Sequence, residues 1–196
     1  VGGGPGVEDV LDLLIERQVQ MLRGNWDEIF INVDAQLTKI PSDAHPAVIQ
    51  TYEWLVRRLS REYQALLANL PLRATLDLTP TQRLLMCHAA PTDTWARVCR
   101  PNTPTATLRN IYGKTNAQII AYGHYHAHHI LQLDDKLLIN VASIGLGWQG
   151  LSTLTLLEVV DDQTRIEQYQ VSYDFDEHRR LVSERNMPSD PAIWYW

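Results

Sequence analysis

Four of the seven histidines fall within six residues, in Gly123-His124-Tyr125-His126-Ala127-His128-His129, directly after the apolar run Ala117-Gln118-Ile119-Ile120-Ala121-Tyr122. Neutral imidazole is the commonest protein ligand for first-row transition metals, so imidazoles at the end of a buried strand suit metal binding. Alternation along a strand predicts that His124, His126 and His128 share one face while His129 points away. Two further donors stand at the ends of other apolar segments. Asn25 follows Val19–Arg23 in Gly24-Asn25-Trp26-Asp27, and His88 follows Arg83–Cys87. A mixed αβ scaffold commonly gathers a site from several strand ends, because the sheet fixes the ligands and the loops supply access. Taken singly, each donor has a plainer reading: Asn25 as a turn residue, His88 as a hydrogen-bonded core histidine, and the histidine run as a surface tract that scavenges metal.

The elements that must position these groups follow from hydropathy. The chain opens Val1-Gly2-Gly3-Gly4-Pro5-Gly6, which resembles a loop between a strand and a helix. A helical pattern follows, with Val7, Val10, Leu11, Leu14 and Ile15 apolar and Glu8 and Asp9 in the first turn, where the helix dipole favours acids. Val19–Arg23 is predicted as a strand. His45 to about Leu70 is predicted as one long helix, stopped by Pro71. Arg83–His88 reads as a strand, Pro101–Thr107 as a loop, and Leu108–Tyr112 as a short helix. Strands are expected at Gln118–Tyr122, Ile130–Leu133, Leu137–Val141, Ser152–Val160 and Ile166–Tyr173, with a hairpin turn at Asp134-Asp135. A closing helix is expected from Asp176 to about Asn186. The apolar ending Trp194-Tyr195-Trp196 suggests packing on this chain or on a second copy.

Composition bounds the class. A chain of 196 residues, 45% hydrophobic, supports one core and is read as a single domain over 1–196. The net charge of −6 argues against a general nucleic-acid or anionic-membrane binder, because either needs a basic surface. Two cysteines, Cys87 and Cys99, are too few for a disulfide scaffold and favour a reducing, cytoplasmic setting.

Four ordered motifs resemble those of the calcineurin-like metallophosphoesterases, and the small bacterial phosphodiesterase-like branch in particular. They are Gly24-Asn25-Trp26-Asp27, Cys87-His88-Ala89-Ala90-Pro91, Gly123-His124-Tyr125-His126 and Asn140-Val141-Ala142-Ser143-Ile144-Gly145. The resemblance extends over essentially the whole chain, and it implies an α+β fold, a four-layer αββα sandwich. It also implies two divalent metal ions (manganese, iron, zinc or nickel), about 3 to 4 Å apart. On this resemblance Asn25, His88 and His124 match ligands of one metal and His126 a ligand of the other. Trp26 and Tyr125 stand where substrate would be met. The implied reaction is hydrolysis of a small phosphodiester or phosphate ester by metal-activated water.

Three departures shape the expectation. The family's opening Asp-x-His and following Gly-Asp have no counterpart, so the chain reads as N-terminally incomplete, lacking a strand-helix-strand segment. An incomplete sheet edge and the aromatic ending suggest a homo-oligomer. Trp26 stands where many relatives carry a histidine that protonates the leaving oxygen. Indole cannot serve as that acid, which favours phosphodiesters or aryl esters over alkyl monoesters, and leaves Asp27 as a helix-start acid. Asn140-Val141-Ala142-Ser143 replaces a Pro-Gly pair, altering a turn beside the site, and His128 and His129 are expected at the surface or substrate rim. The alternative is a non-catalytic relative of the same fold, holding at most one metal.

Overall fold

The computed structural model describes residues 4–32, 40, 46–97, 100–146, 150–161 and 163–188. The expectations for His45, Cys99 and the Trp194–Trp196 ending lie outside the described residues. The chain divides into two compact units: residues 1–70 with 173–196, and residues 71–172.

In the first unit, α1 (Val7–Glu16) buries Val7 and Leu11 and carries Glu8 and Asp9 in its first turn, as its pattern predicts. The apolar stripe of α2 (Pro46–Arg58) meets α1 through Trp54 and Leu55; Leu59, Leu67 and Met187 complete this core. Arginines tie the perimeter. Arg58 Nε donates to Glu8 at 2.9 Å, and Arg185 donates to Asp9 and to the Pro5 carbonyl, each at 2.9 Å.

Two expectations fail in this unit. The long helix is two helices, α2 and α3 (Arg61–Ala68). Ser60 takes extended backbone angles, and its hydroxyl accepts the Tyr63 N–H, so a serine N-cap restarts the helix where the apolar stripe runs on unbroken. Val19–Arg23 is not a strand. A strand exists only where another strand supplies its ladder; here Arg23 instead donates a guanidinium N–H to the Ala68 carbonyl at 2.8 Å.

The second unit holds a mixed five-stranded sheet in the order β1-β2-β3-β5-β4. Its strands are β1 (Arg73–Asp77), β2 (Arg83–Cys87), β3 (Ile119–Tyr122), β4 (His129–Leu133) and β5 (Lys136–Asn140). β2, β3 and β5 run parallel, while β1 and β4 are antiparallel edges. Helix α4 (Thr105–Tyr112) joins β2 to β3 as a crossover and starts earlier than the sequence suggests, directly after Pro104. One sheet face packs Leu85, Cys87, Ile120, Tyr122 and Leu138 with Leu108 and Tyr112 of α4. The other packs Leu84, Ile119 and Ile139 against Leu157, Val159 and Ile166. The last three belong to an antiparallel ribbon of β6 (Leu151–Val160) and β7 (Gln163–Ser172). An α-β-β layering is thus present inside this unit, and the three central strands β2, β3 and β5 bury side chains on two faces, which is why they read as continuous apolar runs.

β1 has no strong sequence signal because it is an edge with four of its five residues exposed. At the β4–β5 hairpin Asp134 turns with φ of 53°, and Arg109 of α4 donates two N–H groups to its carboxylate at 2.8 and 2.9 Å. The closing helix α5 (Phe175–Glu184) belongs to the first unit and is capped by Asp174, which accepts the Glu177 N–H at 2.9 Å. Among the described residues no helix is long and apolar enough to cross a membrane.

Candidate metal centre

β2 and β3 are parallel neighbours, so the residues that follow them emerge side by side. His88 follows β2 and Gly123-His124 follows β3, and the Gly123 N–H donates to the His88 carbonyl at 2.9 Å, extending the pairing past the strands. The imidazoles meet: His88 Nε2 lies 3.2 Å from His124 Nδ1, with ring centroids 5.2 Å apart and nearly perpendicular.

The segment carrying the histidine run is a loop, which corrects the expected alternation of His124, His126 and His128 on one strand face. His124 and His126 have φ of 68° and 49°, in the left-handed region that costs a non-glycine residue of order 1–3 kcal/mol. The Tyr125 N–H folds back onto the Gly123 carbonyl at 2.8 Å. Two left-handed residues around Tyr125 turn the chain tightly enough to aim His124 at His88. Only His129 lies on a strand; it opens β4, where its Nε2 faces the Tyr122 hydroxyl at 2.8 Å and its Nδ1 the Ala127 carbonyl at 3.1 Å. This placement gives half-buried His129 a structural role between β3 and β4.

Asn140 holds the loop from the neighbouring strand. Fully buried at the end of β5, it donates from Nδ2 to the Gly123 carbonyl at 2.9 Å and accepts the Ala142 N–H at 3.0 Å. Ala142, with φ of 64°, takes the turn that the Val-Ala pair makes in place of Pro-Gly.

Burial holds both facing histidines neutral. It pushes His88 down to about 3, helped by the charge His124 would carry, and pushes His124 down to about 4, helped by His126, Arg100 and Arg97. His126 is lowered by burial alone. Neutral imidazole is the protonation state a metal requires. The separation fits as well: with metal–nitrogen bonds of about 2.0–2.1 Å, two ligands of one tetrahedral ion lie about 3.3 Å apart. His88 and His124 therefore fit one edge of a coordination shell. Among the described residues no group of three or more His, Cys, Asp or Glu side chains is gathered closely enough to hold an ion.

Asn25 and Trp26 belong to the first unit, in the turn that precedes a 3-10 helix at Asp27–Phe30. Asp27 is buried and its Oδ2 accepts the Gly24 N–H at 2.7 Å, closing the turn at the helix start. Trp26 stacks on Tyr52, ring centroids 4.3 Å apart and 22° between planes. The Tyr52 hydroxyl is buried with no hydrogen-bond partner among the described residues; burial first, then the Asp27 and Glu28 carboxylates, push its pKa upward.

Arg100 is a residue the sequence does not single out. Its guanidinium carbon lies 4.6 Å from the centre of the Tyr125 ring, and that ring packs edgewise on His124 at 4.9 Å. A cation before a proline in a polar loop carries no sequence signal of its own; only the tertiary fold sets it over Tyr125.

The family model of the calcineurin-like phosphoesterase superfamily domain matches residues 4–162. The chain belongs to this superfamily. A hypothetical protein from Pyrococcus horikoshii has a similar structure, with a TM-score of 0.74 at 14% identity over 95% of this chain and 76% of that one. A metallophosphoesterase from Sphaerobacter thermophilus is similar with a TM-score of 0.68 at 16% identity, over 98% of this chain and 82% of that one. No curated protein matches the chain. The fold is thus the α+β metallophosphoesterase fold expected from the motifs, and proteins of this family generally bind divalent metals.

Proposed function

We propose that the chain is a metal-dependent phosphoesterase that hydrolyses small phosphoric esters, diesters in preference to alkyl monoesters. Its two divalent ions would be held by Asn25, His88, His124 and His126, with manganese, iron, zinc or nickel all compatible with this donor set. The observation that carries the reading is the His88–His124 pair: two neutral imidazoles at adjacent strand ends, nitrogens 3.2 Å apart, in a chain of this family. When bound, the ions supply Lewis acidity toward phosphoryl oxygens and lower the pKa of water.

The chain's own residues do the rest. Burial keeps the imidazoles unprotonated, so binding a cation displaces no proton from them near neutral pH. Asn140 clamps the loop so that His124 keeps its aim. Tyr125 offers its ring beside His124 for substrate. Trp26 can shape the substrate's surroundings but cannot protonate a leaving oxygen, which sets the bias toward esters whose leaving groups depart unaided. Two cysteines in the whole sequence, Cys87 and Cys99, suit a reducing, cytoplasmic setting.

A second reading is favoured by one observation: only two histidine rings meet, and no three-donor group assembles among the described residues. In that reading the fold is kept for binding, with one weakly held ion.

Metal content after dialysis against manganese and zinc, measured by elemental analysis, separates the two. About two ions per chain, lost in His88→Ala together with hydrolysis of bis(4-nitrophenyl) phosphate, supports the phosphoesterase. One ion or none, with no hydrolysis, refutes it and leaves the binding protein.

A further inference from the structure

We propose that Arg100, seated on the face of Tyr125, determines specificity by receiving a second phosphate group of the substrate, beyond the phosphate held at the histidines. This rests on the phosphoesterase reading of the same site and names its substrate class: phosphate esters that carry a further phosphate.

Three features build the receiver. The first is position. His88, His124, Tyr125 and Arg100 form a continuous series of ring contacts, at 5.2, 4.9 and 4.6 Å, so the guanidinium stands one aromatic ring beyond the imidazole pair. The second is rigidity. The Arg100 N–H donates to Thr103 Oγ1 at 2.8 Å while the Thr103 N–H donates to the Arg100 carbonyl at 2.9 Å, a reciprocal clasp that fixes the backbone under the side chain.

The third is an unspent charge. Arg58, Arg83, Arg109, Arg180 and Arg185 are each held by a carboxylate. Among the described residues, exposed Arg100 and Arg97 have no such partner, and neither do Arg17, Arg61 and Arg73; Arg100 differs from these in lying over a ring that contacts His124. Arg100 and Arg97 both act electrostatically on His124, with Asp93 opposing them. A guanidinium lying on an aromatic face is attracted by the ring quadrupole. Its N–H donors fan out in its own plane as a fork, and among the described residues no carboxylate takes them, so they are available to meet phosphate oxygens two at a time. A lysine could supply the charge but neither the stack nor the fork.

The test uses the full chain, with and without manganese, and inorganic phosphate and pyrophosphate as probes in titration calorimetry. Pyrophosphate is expected to bind about tenfold more tightly than phosphate, the scale of a charged hydrogen-bonded contact. Arg100→Gln should collapse that ratio toward one, and Arg100→Lys should restore only part of it. Tyr125→Leu, which removes the seat and keeps the arginine, should lower it as well. An unchanged ratio in Arg100→Gln overturns the proposal, as does failure of pyrophosphate to bind the manganese-treated chain. Because the readout is binding heat, failure of the hydrolytic reading appears separately, as absent cleavage of bis(4-nitrophenyl) phosphate by a chain that still prefers pyrophosphate.

Discussion

Asn140→Ala should both destabilise the second unit and loosen the candidate centre, although Asn140 touches no ring of it. The side chain is fully buried and makes two hydrogen bonds, to the Gly123 carbonyl and from the Ala142 N–H. Gly123 keeps a second donor in the Tyr125 N–H, so its carbonyl is not orphaned. The half-buried Ala142 N–H loses the partner it has here, at a cost of about 1–3 kcal/mol if water does not reach it. The lost Gly123 contact adds about 1 kcal/mol, giving a destabilisation of about 2–4 kcal/mol. Asn140→Asp is the informative companion. It keeps the volume and the bond from Ala142 but sets a buried carboxylate oxygen against the Gly123 carbonyl, so it should cost at least as much in stability as Asn140→Ala and also free the His124 loop. Urea unfolding followed by far-UV circular dichroism reads the first effect. Manganese titration reads the second, expected as a loss of roughly 10- to 100-fold, the usual scale for groups that orient ligands. Both variants within about 0.5 kcal/mol of the parent, the scale of ordinary surface changes, with unchanged metal affinity, would refute the role assigned to Asn140.

Three other outcomes follow from particular contacts. His88 and His124 are held far below the ordinary histidine value, so the unfolded chain binds more protons than the folded one beneath about pH 6.5. Metal-free stability should therefore be full above pH 6.5 and fall toward pH 4, by about 2 kcal/mol per histidine at pH 5; a pH slope identical in His88→Gln and the parent would contradict this. Ser60→Ala removes the cap that separates α2 from α3 and should cost about 1 kcal/mol in chemical denaturation; no measurable change would mean the break is held by other contacts. Trp26→His restores an imidazole where the indole stands and should raise turnover of alkyl phosphomonoesters relative to diesters, and an unchanged ratio would remove the explanation for the diester bias.

The sequence by itself determined most of the second unit. β2, β3 and β5 are apolar runs because both of their faces are buried, and the Asp134-Asp135 turn between the edge strand β4 and β5 fixes a hairpin. It also determined the family and that His88 and His124 follow strand ends, because a parallel sheet delivers such residues side by side whatever the loops do; the strand expected before Asn25 is absent. Local signals weaker than hydropathy were masked: Ser60 breaks a helix without interrupting the apolar stripe, and the edge strand β1 has almost no buried face to leave a pattern. Tertiary structure alone decided how the histidines are used. Strand alternation would have set His124, His126 and His128 together, but the chain leaves the sheet at Gly123 and left-handed turns at His124 and His126 choose a different pairing. Such angles are unfavourable in isolation, and the surrounding contacts, the Asn140 clamp among them, hold them. The seat of Arg100 on Tyr125 has the same origin: a cation and a ring remote in sequence meet only when the fold closes between them, and no short-range pattern encodes that distance.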